Sequence, residues 1–261
     1  MIKNERQDEI IKILRDENYA TVLDLSKRLF ASAPTIRRDL SELESEGYVR
    51  RSHGGVTLND DKLHHHPVGF RRGSKMREKM AICKLAAELV GTGELIFIDD
   101  STTAYHLADF LVNVDNVTVV TNGLSICQRL FYNNIKTVST GGRINRDSEA
   151  FVGYFAEQTV LSFNADYMFF SAAALDDEGI ISDYSEEETS LRRIMKSRSR
   201  RTVFLCDSEK FGATSELRSF SLTEIDYVVT DEPLHPDLLE KCSLIEKKRT
   251  DGAILYAHKE N

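Results

Sequence analysis

A chain of 261 residues exceeds one average domain, and 41% hydrophobic residues are ample for buried cores. The net charge of −8 argues against a non-specific polyanion binder, yet allows a small basic face on a domain of its own. No run reaches the ~18 apolar residues of a membrane helix, and the opening MIKNERQDEI lacks the apolar stretch of a secretory leader.

Cys83, Cys127, Cys206 and Cys242 are scattered, with no C-x-x-C pair. They read as buried thiols of a cytoplasmic protein, not as a disulfide frame or zinc site. No cofactor and no metal are expected.

Residues 1–57 are dense in helical periodicity. In NERQDEIIKILRDENY, Ile10, Ile13 and Leu14 fall at i, i+3 and i+4 and form one buried stripe. Thr21 is a natural N-cap for a second helix whose Val22, Leu25 and Leu29 face the same core. A third helix starts near Ser32, with Ile36, Leu40 and Leu43 inward and Pro34 tolerated in its first turn. Gly47 stops it, and YVRRSHGGVTL reads as strand, glycine turn and strand. Three helices and a hairpin make a winged helix-turn-helix.

Residues 58–74 are polar and turn-rich and read as a linker. Its His64, His65 and His66 are adjacent, so they converge poorly on one ion, and no carboxylate or Cys stands at ligand spacing.

Residues 75–261 are expected to form a larger α/β domain. SKMREKMAICKLAAELV is an amphipathic helix, and LIFID, VTVVT, KTVST, DYMFFS, TVFLCD and DYVVTD are short apolar strands, most trailed by helical periodicity. Such strands alternating with helices indicate a mainly parallel sheet covered on both faces.

With Ile36, Leu40 and Leu43 buried, Thr35, Arg37, Arg38 and Ser41 lie largely on other faces of the third helix. Arginine matches guanine O6 and N7 bidentately, so this helix suits a major groove. Arg50, Arg51, Ser52 and His53 ride on the wing, where phosphate or minor-groove contacts belong. The competing reading is a solvated surface, with Arg37 paired to Asp39, Glu42 or Glu44.

Arg6, Ile10 and Leu14, then Ser32, Thr35, Ile36, Arg37, Arg38, Asp39 and Leu40, then ELESEGYVRRSHGGV, resemble the helix-turn-helix and wing of the DeoR family. The resemblance implies a bacterial transcriptional regulator, usually a repressor, that binds double-stranded operator DNA. Its expected DNA contacts are Ser32, Thr35, Arg37, Arg38, Ser41, Arg50, Arg51 and His53.

Three strands of the second domain end alike. LIFIDD runs into Ser101-Thr102-Thr103, VTVVT into Asn122-Gly123, and KTVST into Gly141-Gly142-Arg143. Hydroxyls and free backbone N–H groups at helix starts suit an anion, and ligands of parallel sheets bind beyond the carboxyl ends of the strands. Taken singly, such Ser and Thr residues more often just cap helices.

DDSTTAYHLADFL, TNGLSICQRL, STGGRI, DYMFFS and LCDSEKFG resemble the DeoR C-terminal sensor domain, a fold related to ribose-5-phosphate isomerase and glucosamine-6-phosphate deaminase. The resemblance implies a phosphorylated sugar effector, with its phosphate on Ser101, Thr102 and Thr103. Thr121, Asn122, Gly141 and Gly142 would line the pocket, and Lys210 would reach in from the opposite wall or stand solvated. Asp100, Arg143 and Asp176 complete the expected set.

Ser171-Ala172-Ala173-Ala174 stands where the family usually has a glycine-containing turn, which leaves the effector's identity open. Glu186-Glu187-Glu188 reads as the acidic first turn of a helix, on which Arg192 and Arg193 face phosphate or solvent. An active isomerase or deaminase would need a positioned carboxylate base. Asp99, Asp100, Asp176 and Asp177 are available, but the isomerase's glycine-rich loop is not recognisable. A nucleoid-type binder would be basic. The expectation is a homodimeric or homotetrameric repressor of carbohydrate uptake or catabolism genes, without enzymatic turnover and away from the membrane.

Overall fold

The computed structural model describes residues 3–45, 48–52, 55–58 and 68–259. They fall into two compact units, Met1–Ser74 and Lys75–Asn261.

In the first unit α1 (Lys3–Glu17), α2 (Val22–Arg28) and α3 (Ala33–Ser45) are followed by a hairpin of β1 (Val49–Arg51) and β2 (Val56–Leu58). Ile10, Ile11 and Leu14 of α1 pack on Leu25, Ile36, Leu40 and Leu43; Ile13, expected in that stripe, is only half-buried, and Ile11 takes its place. Thr21 caps α2 reciprocally: its hydroxyl accepts the Asp24 N–H at 3.1 Å, and its own N–H donates to the Asp24 carboxylate at 3.3 Å. The Ser32 hydroxyl accepts the Thr35 N–H at 3.3 Å at the start of α3, so Pro34 falls in the first turn, where no helical N–H is missed. Arg6 of α1 reaches the fully buried Asp39 of α3 through Nε at 2.5 Å and Nη2 at 3.1 Å. This buried pair ties α1 to α3. A short α4 (Val68–Gly73), inside the stretch expected as linker, packs on α1. The histidine run 64–66 lies outside the described residues.

The second unit opens with α5 (Met76–Ala87), β3 (Leu95–Ile98), β4 (Thr118–Thr121), α6 (Leu124–Tyr132) and β5 (Lys136–Ser139). A hairpin of β6 (Arg143–Asn145) and β7 (Ala150–Val152) leads through α7 (Tyr154–Leu161) to β8 (Ala165–Phe170). After β9 (Ala174–Leu175), β10 (Ile180–Asp183) and α8 (Glu186–Ser197) come β11 (Ser199–Cys206), β12 (Leu217–Ser221) and β13 (Tyr227–Thr230). The unit closes with α9 (Pro236–Lys241), β14 (Leu244–Thr250) and β15 (Ala253–His258).

Eight strands form one sheet in the order β14-β15-β13-β11-β8-β3-β4-β5. The six strands read from sequence are its parallel members; the antiparallel pair β14–β15 was not foreseen. Charge explains the omission of β14, since Glu246, Lys247, Lys248 and Arg249 face solvent on the edge strand and hide its pattern; β15 is a buried apolar run that carried its signal openly. Side chains alternate between two cores: Phe97, Met168 and Phe170 meet α7 and α8, while Ile96, Ile98 and Phe169 meet α5 and α6.

The chain lays β4 and β5 on one side of β3, then crosses back to place β8, β11 and β13 on the other. The carboxyl ends of β3 and β8 therefore flank a topological switch point, where an open parallel sheet leaves a crevice.

Candidate functional site

On α3, Arg37, Arg38 and Ser41 are exposed, opposite the buried Ile36, Leu40 and Leu43, and Thr35 is half-buried. The carboxylates that might have absorbed Arg37 are engaged elsewhere. Asp39 holds Arg6, Glu42 accepts from Gln7 Nε2 at 2.9 Å, and Glu44 accepts the Arg51 N–H at 3.2 Å. Among the described residues neither Arg37 nor Arg38 has an ion-pair partner. Ser32 is the helix cap, which ties its hydroxyl to Thr35. Val49 and Val56 turn inward from the hairpin, leaving Arg50 and Arg51 exposed; His53 lies outside the described residues. A groove of about 340 Å³ between α3 and the hairpin is lined by Thr21, Arg37, Arg51 and Ser52 among others. Exposed guanidiniums on a helix and on the adjoining wing are the donor set a duplex requires.

At the switch point, Asp99 turns the chain after β3. Its Oδ1 accepts the Ser101 N–H at 3.1 Å and the Ser101 hydroxyl at 2.6 Å, and its Oδ2 accepts the Ser171 N–H from beyond β8 at 3.3 Å. Lys210, on the turn after β11, donates to the Ser171 hydroxyl at 2.6 Å and to Thr103 Oγ1 at 3.2 Å. Lys79 of α5, which no sequence motif singled out, is 4% exposed and donates to Thr102 Oγ1 at 3.4 Å. Two lysine heads thus meet two adjacent threonine hydroxyls. Burial raises the Asp207 carboxyl, but Lys210 and Lys79 outweigh it and hold that group below the usual range. Lys210 also pairs with the buried Asp207 carboxylate at 3.1 Å, so this end gathers two lysine heads, one carboxylate and two threonine hydroxyls, a donor set that suits a phosphate.

The other expected residues divide. Thr121 Oγ1 accepts the Gly123 N–H at 3.1 Å, while Asn122 is buried and donates through Nδ2 to Asp100 at 3.0 Å. The Gly141–Gly142 turn adjoins them, since Thr140 N–H bonds the Thr121 carbonyl. Gly142 has φ 108°, and a Cβ there would stand 2.7 Å from the Val152 carbonyl oxygen, so packing alone demands glycine. Arg143 turns to solvent and pairs with Glu187 at 2.5 Å. Asp176 spends Oδ1 on the N–H groups of Glu178 and Ile180, at 2.9 and 2.8 Å, which closes its own turn instead of offering a sugar contact.

Sequence reading missed a buried acidic cluster. Arg192 of α8, 4% exposed, donates through Nε to Asp99 at 2.8 Å and through Nη1 to Asp183 at 2.6 Å. Its Nη2 lies 3.6 Å from Asp100 and 3.5 Å from Glu188. Arg192 therefore faces neither phosphate nor solvent, whereas Arg193 is exposed and donates to the Arg218 carbonyl. Burial, with Asp100 adding to it, pushes the Glu188 carboxyl up to about 8, and burial lifts Asp99 to about 6. Glu188 does stand in the acidic first turn of α8, capped by Ser185. The sequence signal for its burial was its i,i+4 spacing to Arg192.

Residues 6–62 match the family model of the DeoR-like helix-turn-helix domain, and residues 74–232, more than half the chain, match that of the DeoR C terminal sensor domain. The HTH-type transcriptional regulator GolR of Listeria innocua is 34% identical over 242 residues, 92% of this chain and 95% of its own. The transcriptional repressor AccR of Agrobacterium fabrum is 33% identical over 229 residues, 87% and 89% of the two chains. The glycerol-3-phosphate regulon repressor of Escherichia coli is 27% identical over 234 residues, 89% and 92% of the two. No helix among the described residues is long and apolar enough to cross a membrane.

Proposed function

The chain belongs to the DeoR family of helix-turn-helix transcriptional regulators, and from that premise we propose that a phosphorylated sugar bound in its second unit controls the hold of its first unit on an operator. It represses genes of carbohydrate uptake or catabolism and turns over no substrate. One juxtaposition carries the reading. The same chain holds on α3 two exposed arginines with no ion-pair partner among the described residues, and two largely buried lysines on the Thr102 and Thr103 hydroxyls. The first arrangement reads base edges and the second holds a phosphate.

A dimer, or a tetramer of dimers, sets two winged helices on paired half-sites, because symmetry doubles the contacts. The effector shifts the operator equilibrium through a coupling of ~1–3 kcal/mol.

The test is fluorescence anisotropy of the full chain on DNA from upstream of its own gene, with excess unrelated competitor and a panel of phosphorylated sugars. Competitor-resistant binding that one phosphosugar shifts is the expected result. Arg37→Ala is expected to lose that binding and keep the sugar; Thr102→Ala is expected to keep the DNA and ignore the sugar. Normal operator binding by Arg37→Ala would overturn the reading of α3. Resistant binding that answers to no phosphosugar would overturn the effector half, and conversion of any panel member, followed by phosphorus NMR, would make the chain an enzyme.

A further inference from the structure

The crevice at the switch point has two poles of opposite charge. Lys79 and Lys210 meet Thr102 and Thr103 at one pole. At the other, Asp99, Asp100, Asp183 and Glu188 surround the single guanidinium of Arg192. Residues 99–103 run continuously through both. A ligand anchored by phosphate on the threonines therefore presents its remaining groups to carboxylates.

Arg192 does not serve its four partners equally. Asp99 and Asp183 receive hydrogen bonds of 2.8 and 2.6 Å, but Nη2 is 3.6 Å from Asp100 and 3.5 Å from Glu188, too far for well-formed bonds. Asp100 is left with the Asn122 amide at 3.0 Å, and Glu188 with the Asn145 amide at 3.4 Å and the Ser148 hydroxyl. A second observation points the same way. Asn122 is 1% exposed, its Nδ2 abuts Asp100, and its Oδ1 receives no hydrogen bond from the described residues. Four carboxyls share one buried guanidinium here and a buried amide oxygen goes unbonded, which folding alone does not favour.

What completes this pole must bring hydrogens and positive charge. A sugar hydroxyl brings one hydrogen and no charge, whereas a protonated amine brings three hydrogens and a full charge. Among the described residues no group of three or more His, Cys, Asp and Glu is arranged to hold a metal ion. We infer that the effector is an amino-sugar phosphate, whose ammonium lies against Asp100, Glu188 and Asn122 while its phosphate lies on Thr102, Thr103, Lys79 and Lys210. The inference rests on the phosphosugar reading above and names the class of sugar.

It carries a proton signature. Glu188 is faced by Asp100 from the β3 loop, Asp183 from β10, Arg192 on its own helix and Asn145 from β6, with the Ser148 hydroxyl beside it. Burial holds its proton on at neutral pH. An arriving ammonium stabilises the carboxylate and expels that proton.

The experiment is isothermal titration of the full-length protein with three matched probes: 2-amino-2-deoxyglucose 6-phosphate, glucose 6-phosphate and the N-acetylated amino sugar 6-phosphate, each repeated with the galacto isomers. In one epimer series the amine is expected to bind about tenfold or more tightly than both neutral analogues, a difference of about 1.4 kcal/mol. Its heat should vary with buffer ionisation enthalpy, reporting proton release. Glu188→Gln should shrink the preference ratio, and Asp100→Asn provides the same readout if that variant does not fold. Equal binding of amine and neutral analogue, tighter binding of the N-acetyl form, or an unchanged ratio in both folded variants would overturn the inference. If no probe of either series binds but another neutral sugar phosphate from the earlier panel does, the amine falls and the phosphosugar reading stands. If no phosphorylated sugar binds at all, both fall.

Discussion

Arg6 and Asp39 lie 33 positions apart, yet their bond holds α1 against α3 in a site from which Asp39 sees no solvent. Truncating one partner of such a pair leaves a buried uncompensated charge. Arg6→Ala should therefore cost ~3–5 kcal/mol in the winged-helix unit, measured by denaturant unfolding. A cost near zero would mean that water reaches Asp39. Glu188 makes a prediction of opposite character. Its folded carboxyl titrates at about 8 against an ordinary 4.5, so the folded state keeps a proton that the unfolded chain has lost. The resulting stability is fully present below 4.5 and is lost as pH rises through 8. The melting temperature should fall between pH 6 and 9, and Glu188→Gln should remove much of that slope. Asp99, lifted to about 6, adds the same sign in a lower window, whereas Asp207, held low, is already ionised throughout 6 to 9. An undiminished slope in Glu188→Gln would place the titration elsewhere.

As elements, α3 and the wing should fail differently when their arginines are removed. Arg37 stands on the face of α3 opposite the core, the face that the proposed operator reading turns toward base edges. Arg37→Ala is expected to cost ~1–3 kcal/mol on the preferred operator and to relax preference at one base pair. Arg50 stands exposed on β1 beside the buried Val49, and the proposed reading gives it a phosphate contact. Arg50→Ala should weaken all sequences alike and reduce the slope of log affinity against log salt by ~0.9. Competition binding at several salt concentrations separates the two, and an unchanged slope with altered preference in Arg50→Ala would reverse the roles. Both elements were legible in sequence because α3 declares itself locally, through Ser32, Pro34 and the 36-40-43 stripe. The edge strand β14 was not, because its charged residues hide the alternation on which strand reading depends.

At the scale of the whole molecule, two binding acts reside in two compact units of one chain. If the effector changes operator affinity by some factor, linkage requires the operator to change effector affinity by the same factor. Titrating the sugar with and without saturating operator should return that factor, and a mismatch would show that the two ligands do not share one equilibrium. The sequence by itself determined the winged helix, the six parallel strands and the hydroxyl loop 101–103, since each is written in residues a few positions apart. Only the tertiary structure decided which groups share a buried site. Lys210 meets Thr103 across 107 positions and Arg192 meets Asp99 across 93, because the crossover sets β8 beside β3. Local pattern carries no record of that adjacency: Lys79 and Glu188 read as ordinary helix-surface charges until the strand order closes around them.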